Sequence, residues 1–493
     1  MAIILSLDAG TTSVRTLATN ERGEIVDQAQ QEFPQYFPQP GWVAHDAQEI
    51  WEAAQKTLTE VAERLTQPVV SIAIANQRET VVAWHAATGL PQHRAIVWQD
   101  RRTADRCQEL TQAGHLPFVR EATGLVLDPY FSGTKMAWLL GEGNVSADAD
   151  LRLGTIDSWL LWKLTGGKVH ATEPSNASRT MLFDLRSGCW SEELCDLLGV
   201  PLAALPEVFP SSGRFGVTDA ASPVGPGVPI SGMAGDQQAA LFGQACFAAG
   251  QAKNTYGTGC FLLANIGDDL PAPADGLLTT VAWQREKGGP LTYAREGSIF
   301  SAGSAVQWLR DGLGIIDHAS DLEGLAQSVP DTGDVFLVPA FTGLGSPWWD
   351  PWARGTLVGL TRGTGRAEMA RAVVEAMVFQ TRDVVDAMSR EGLTIADLRI
   401  DGGAAVMELL LDLQADQLNI PVTRSATTEA TALGAAWLAG LAEGVWDSLD
   451  ELSDLWQADR TALPAADRSK VNVLHHRWLQ AVDRSRQWEQ PPQ

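Results

Sequence analysis

Apolar positions recur along this chain with two periods. Ile3 to Leu7 is a β-branched and aliphatic run that ends in Asp8-Ala9-Gly10-Thr11-Thr12-Ser13 and resumes as Val14 to Thr19. Glu21 to Glu24 is a turn and Ile25 opens a third run, so the chain begins as a strand meander. Asp46 to Leu65 has helical spacing behind a capping aspartate, and Val69 to Ala75 alternates as a strand. Ala95 to Trp98 is a further short strand, and a loop from Asp128 to Lys135 leads to the helix that carries Trp138. Gly154 to Leu164 joins a strand to a helix start, and Asn176 to Thr180 is a loop. Val228 to Met233 predicts a strand and Gln237 to Phe247 a helix.

The second half begins like the first. Ala252 to Tyr256, the turn Gly257-Thr258-Gly259 and Cys260 to Asn265 repeat the strand–Gly/Thr turn–strand order, which suggests a duplicated fold. Gly303 to Leu313 predicts a helix. Arg366 to Arg390 predicts a long one, with Ala370, Val373, Val374, Met377, Thr381, Val384 and Met388 on one face, mostly core. Leu398 to Ile400 runs through Gly402-Gly403 into a helix, Thr431 to Leu441 is a small-residue helix built for close contact, and Asp467 to Trp488 is a final helix. The class is α/β. A chain of 493 residues exceeds one ordinary core, and we expect a boundary near Ala248–Gly250, giving domains 1–248 and 249–493.

A formal charge of -24 argues against nonspecific binding to nucleic acid or anionic membrane, though a few arginines and backbone N–H groups can still hold a small anion. The five cysteines form no Cys-x-x-Cys pair, so neither a disulfide framework nor a zinc site is expected. No run is long and apolar enough for a membrane span, and the first apolar run lacks a basic leader, so a cytoplasmic protein is expected.

Candidate chemistry lies in the turns. Asp8 to Ser13 offers a carboxylate, a glycine and three hydroxyls, suited to a phosphate and a hydrated Mg²⁺ or simply to a β-turn. Neither a Walker A loop nor a Gly-x-Gly-x-x-Gly fingerprint after a strand is present. Arg78-Glu79, directly after a strand, can fix hydroxyls or form a surface ion pair. Asp236 stands between a strand and a helix, as a reactive carboxylate or as an N-cap.

Three separated segments, Asp8-Ala9-Gly10-Thr11-Thr12, Tyr256-Gly257-Thr258-Gly259 and Asp401-Gly402-Gly403-Ala404, resemble the two phosphate turns and the adenosine turn of the sugar-kinase/actin-like ATPase fold. That fold has duplicated ribonuclease H-like domains and an interdomain active-site cleft. Gly355 to Leu360 with Glu368 to Glu375, and Tyr130 to Leu139, resemble the signatures of the FGGY carbohydrate kinases, with Gly141 in place of a usual polar residue. Between Ile4 and Gly444 the chain is similar to the glycerol-phosphorylating branch of that family, through Asn76-Gln-Arg-Glu-Thr80, Ala95 to Gln99, Gly154 to Trp159, Asn176 to Met181, Ala234 to Gln238 and Asn254 to Phe261.

The resemblance implies ATP and Mg²⁺ as cofactors and glycerol as acceptor, with a homodimer or homotetramer as the common assembly. It implies an acceptor site of Arg78, Glu79, Trp98, Tyr130, Asp236, Gln237 and Phe261, with Asp236 as base. It implies Asp8 and Asp236 around the metal, and Thr11, Thr12, Arg15, Thr258, Gly303, Gln307, Gly403 and Met407 around the nucleotide, with Arg15 offsetting charge on the transferred phosphoryl. The chain departs from the pattern at Ala9 (usually Gln), Val14 (usually Ser) and Met407 (usually Asn); Met407 can pack on a purine but donates no fixed hydrogen bond. The loop from Gly216 to Pro229 lacks both the basic residue and the phosphorylatable histidine by which some relatives are controlled, so neither control is expected. A kinase for another small polyol or ketose, and a non-catalytic nucleotide-binding regulator, are the alternatives.

Overall fold

The computed structural model describes residues 2–489. Its first sheet contains β1 (Ile3–Ala9), β2 (Ser13–Asn20), β3 (Ile25–Glu32), β4 (Val69–Asn76), β5 (Ser212–Val217) and β6 (Pro229–Gly235), in the order β5-β6-β4-β1-β2-β3. The meander β1–β2–β3 is antiparallel, while β4 runs parallel to β1 and β6 parallel to β4. All seven residues of β1 are buried, so this strand is apolar on both faces rather than alternating.

The second sheet repeats that plan. It comprises β7 (Gln251–Tyr256), β8 (Cys260–Gly267), β9 (Leu278–Gln284), β10 (Leu291–Ile299), β11 (Asp397–Asp401), β12 (Val422–Ser425) and β13 (Ala458–Ala462), in the order β9-β10-β8-β7-β11-β12-β13. Again an antiparallel meander, β7–β8–β10, is followed by parallel strands β11 and β12. The echo seen in the two Gly/Thr turns is therefore a repeat of topology. A third, smaller sheet on the first lobe is built from residues 44–45, 81–85, 90–91, 95–96 and 151–155.

Three helices matter to the cleft: α1 (Asp236–Gly243), α2 (Arg366–Arg390) and α3 (Ala430–Ala442). Burial of one apolar face accounts for α2, whose Val373, Val374, Met377, Val384 and Met388 sit in the core of the second lobe. Helix α3 is late in sequence but packs on β1, β4 and β6 of the first sheet and lies against α1. Gly434 explains the closeness to α1: a Cβ there would stand 1.8 Å from the Ala239 carbonyl oxygen.

Several expected elements differ in detail. The helix after Asp236 ends at Gly243 rather than Phe247, and Ala245 beyond it has a left-handed φ of 49°. The loop expected through Lys135 is already helical from Ser132, and the Ala95 strand stops at Ile96. Residues 174–177, which overlap the start of the loop expected from Asn176 to Thr180, make a short helix capped by Glu173. The helix expected from Gly303 to Leu313 is α-helical only to Gln307 and widens into a π turn over Trp308–Gly312. After Gly402 comes a 3₁₀ turn, Gly403–Val406, before the helix resumes at Glu408. Gly402 itself is required: its φ is +89°, and a Cβ there would lie 2.5 Å from the Tyr256 carbonyl oxygen. No helix among the described residues is long and apolar enough to cross a membrane.

Candidate active site between the lobes

The strand ends of both sheets converge on one cleft. A small cavity of about 140 Å³ is lined by Arg78, Glu79, Trp98, Tyr130, Asp236, Gln237 and Phe261, together with Thr11, Thr258 and Gly259. All seven residues expected of the acceptor site thus line one space, although the sequence separates Arg78 from Phe261 by more than a third of the chain. Arg78 and Glu79 follow β4, Asp236 and Gln237 open α1 after β6, and Phe261 comes from β8 of the opposite lobe.

One wall is aromatic. Trp98 stands edge-to-face with Tyr130 (5.8 Å) and with Phe261 (6.1 Å) across the lobes. The Trp98 indole N–H donates to Thr11 Oγ1 at 3.0 Å, tying this wall to the first turn.

The floor is a buried ion network. Arg78 Nη1 donates to Glu296 Oε2 (2.6 Å), and Arg78 Nη2 donates to Glu296 Oε1 (3.1 Å) and to the Tyr130 hydroxyl (3.2 Å). Arg179 donates from Nε to Glu79 Oε1 (2.6 Å) and from Nη2 to Glu296 Oε1 (2.9 Å). The surface-ion-pair alternative for Arg78 and Glu79 is therefore set aside, since both are buried. Burial pushes the Glu79 carboxyl up against the opposing pull of Arg78 and Arg179. It also works to raise Glu296, but Arg179 and Arg78 outweigh it and hold that carboxyl at about 2. Glu79 has a left-handed φ of 61°, a strained conformation for a non-glycine residue that surrounding contacts must maintain.

Asp236 is the first residue of α1, not its cap; Gly235 holds the cap position. Its carboxylate lies 3.4 Å from Arg78 Nε and accepts from the Gln237 N–H at 2.7 Å. Burial raises its pKa, countered by Arg78 and Lys253 and reinforced by the negative charge of Asp8. Lys253, on β7, donates to Gln237 Oε1 and to Thr255 Oγ1 (2.8 Å); burial depresses its ammonium to about 8.

A larger cavity of about 610 Å³ adjoins at Thr258 and is lined by Gly303, Gln307, Gly403 and Met407 along with Tyr256, Val306 and Leu322. Thr258, Gly303, Gln307, Gly403 and Met407 are thus brought together as expected of a nucleotide site. Met407 is itself buried. Thr12 is exposed and lines neither cavity. Arg15 donates to Asp8 Oδ2 (2.6 Å) and to Glu429 Oε2 (2.5 Å), bridging β1 to the start of α3. Burial raises the Asp8 carboxyl while Arg15 lowers it.

Sequence reasoning passed over Glu296, Arg179 and Lys253 as functional positions. Arg179 lies within the Asn176–Met181 segment, but no local signal marks a partner 117 residues away. Glu296 and Lys253 are charges inside strands that are otherwise buried (β10 and β7); that mismatch was the available signal.

Two lobes of repeated topology meeting on a buried carboxylate, a small polar and aromatic pocket and a larger glycine-lined cavity have the architecture of a two-lobed sugar-kinase type of phosphotransferase. Residues 3–243 match the N-terminal domain model, and residues 252–443 the C-terminal domain model, of the FGGY family of carbohydrate kinases. The chain belongs to that family. It is 54% identical to a glycerol kinase of Dechloromonas aromatica over 98% of each chain, and 50% identical to glycerol kinase 2 of Thermotoga maritima over 99% of this chain and all of that one. Among solved structures, Plasmodium falciparum glycerol kinase with ADP superposes with a TM-score of 0.91 at 35% identity, covering 98% of each chain. A gluconate kinase of Lactobacillus acidophilus shares the fold, with a TM-score of 0.88 at 21% identity over 97% of each chain.

Proposed function

We propose that this chain catalyses the ATP-dependent phosphorylation of glycerol to sn-glycerol 3-phosphate. The observation that carries the reading is the small cavity in which all seven acceptor residues meet beside the nucleotide cavity. Trp98 and Phe261 would cover the carbon chain of a triol. Arg78, Glu79, Tyr130 and Gln237 would fix its hydroxyls, so that an analogue lacking one leaves a buried partner unpaired. Asp236 would accept the proton of the attacking hydroxyl as the new O–P bond forms and the bond to ADP breaks, the electron pair leaving on ADP. Its raised pKa suits a base that must bind a proton. Thr11, Thr12 and Thr258 would cradle phosphates, and Gly303, Gln307, Gly403 and Met407 the nucleoside.

Asp8 and Asp236 are hard oxygen donors close enough for the charge of one to raise the pKa of the other, which fits a hydrated Mg²⁺ between them. When bound, that ion would offset charge on the transferring phosphates. Arg15, now on Asp8 and Glu429, would add to that offset. Closure of the lobes would exclude water, the competing acceptor. We further place the protein in the cytoplasm, where ATP is abundant and its five unpaired cysteines stay reduced, and expect a homodimer or homotetramer.

An ADP-release assay with Mg-ATP against glycerol and a panel of polyols and ketoses tests this. Saturable turnover on glycerol yielding glycerol 3-phosphate is the expected result. Turnover confined to another acceptor would move the specificity, and ATP binding with no turnover would favour a regulator.

A further inference from the structure

We propose that Glu296 is a positioning residue by which the second lobe sets the geometry and selectivity of the acceptor pocket. Glu296 lies on β10, yet its partners Arg78 and Arg179 both belong to the first lobe. Its two oxygens divide the work. Oε2 takes Nη1 of Arg78, while Oε1 is shared by Nη2 of Arg78, Nη2 of Arg179 and the hydroxyl of Ser298 at 2.9 Å. A carboxylate that meets both terminal nitrogens of a guanidinium fixes its plane as well as its place. That plane carries Nε toward Asp236 and Nη2 toward the Tyr130 hydroxyl, so the orientation of Arg78 governs what the pocket presents to an acceptor. Arg179 extends the grip to Glu79, which is held in its left-handed conformation partly by that bond.

Glu296 is wholly buried and does not line the small cavity, so it acts on the acceptor through Arg78 and Glu79. Without its charge, two buried guanidiniums would repel each other across a neutral group, and Arg78 would be free to swing toward Asp236. The pocket would then lose discrimination before it lost volume.

The test rests on the proposed acceptor reaction, and the unsubstituted enzyme serves as its control. If that enzyme does not phosphorylate glycerol, the functional reading fails and the acceptor is replaced before Glu296 is judged. In Glu296→Gln, the KM for glycerol should rise at least about tenfold while the KM for ATP stays within about twofold. The ratio of kcat/KM for glycerol over 1,2-propanediol should fall by a similar factor, because selectivity rests on an oriented Arg78. Ser298→Ala removes one donor to the same carboxylate and should shift the ratio in the same direction by a smaller amount; it serves if the first variant does not fold. A uniform loss on both acceptors with the ratio unchanged in Glu296→Gln overturns the proposal. So does an unchanged ratio in Ser298→Ala where that variant alone is soluble.

Discussion

At the scale of single residues, the cleft is a set of charges arranged so that burial and pairing oppose one another. Asp236 is raised by burial and lowered by Arg78 and Lys253, leaving a carboxylate that can take up a proton. Asp236→Asn keeps the shape and removes the proposed base; turnover should fall by roughly 10²–10⁴ while glycerol binding by calorimetry stays nearly unchanged. Turnover close to that of the unsubstituted enzyme would remove Asp236 from the chemistry. Glu296 is the opposite case, held at about 2 against an ordinary 4.5. A depressed carboxyl contributes stability that is present above pH 4.5 and lost as pH falls toward 2. Acid unfolding followed by circular dichroism should therefore be less steep across that window in Glu296→Gln, and an identical acid limb would contradict the assignment.

Residue-scale legibility was uneven for a physical reason. Arg78, Glu79 and Asp236 could be singled out because each sits at the end of a buried strand, whereas Trp98, Tyr130, Gln237 and Phe261 came only from the family resemblance. Glu296, Arg179 and Lys253 could not, because their roles depend on partners in another lobe or far along the chain. Arg15 is intermediate: the family resemblance implied it, but its bridge to Glu429 joins residues 414 apart.

At the scale of elements, the seam between α1 and α3 decides where Asp236 stands. Gly243 and Gly434 let the two backbones touch, and a Cβ on Gly243 would lie 2.0 Å from the Ala430 carbonyl oxygen. Gly434→Val should force the helices apart, lowering stability by about 1–3 kcal/mol or more and reducing kcat together with thermal stability. A variant of full activity and an unchanged melting temperature would show that the seam does not position Asp236. The long helix Arg366–Arg390 was legible to the residue, since a stripe of apolar side chains over seven turns has few other solutions. The early end of α1 was not, because residues 244–247 are as apolar as those before them and only the crossing of α3 and the turn at Ala245 stop the helix. The π turn at Trp308 likewise leaves no mark in the periodicity.

At the scale of the whole molecule, the repeated topology was visible from two Gly/Thr turns, whereas the way the halves interlock was not. Glu429 reaches Arg15, Glu296 reaches Arg78 and Lys253 reaches Gln237, each time from the second half of the chain to the first. Lys253 at about 8, below its ordinary 10.5, is destabilised as a cation in the fold. Its contribution to stability rises with pH between 8 and 10.5, where the unfolded chain still holds the proton. The charge that grips Gln237 is lost over the same range, so the KM for glycerol should rise above pH 8 as the protein becomes more resistant to heat. Lys253→Met should flatten both trends; retention of the original pH profile in that variant would exclude Lys253 as their source.

Helix α3 has a consequence for how the protein is made. Synthesis runs from the N-terminus, so residues 1–248 leave the ribosome before residues 430–442, which cover one face of their sheet, have been translated. The nascent first half must wait, with Ala73, Ala75 and Ala234 uncovered, for a helix that is translated only after most of the second lobe. Expressed alone, 1–248 should be aggregation-prone and bind a hydrophobic dye, and supplying the remainder in trans should rescue its solubility.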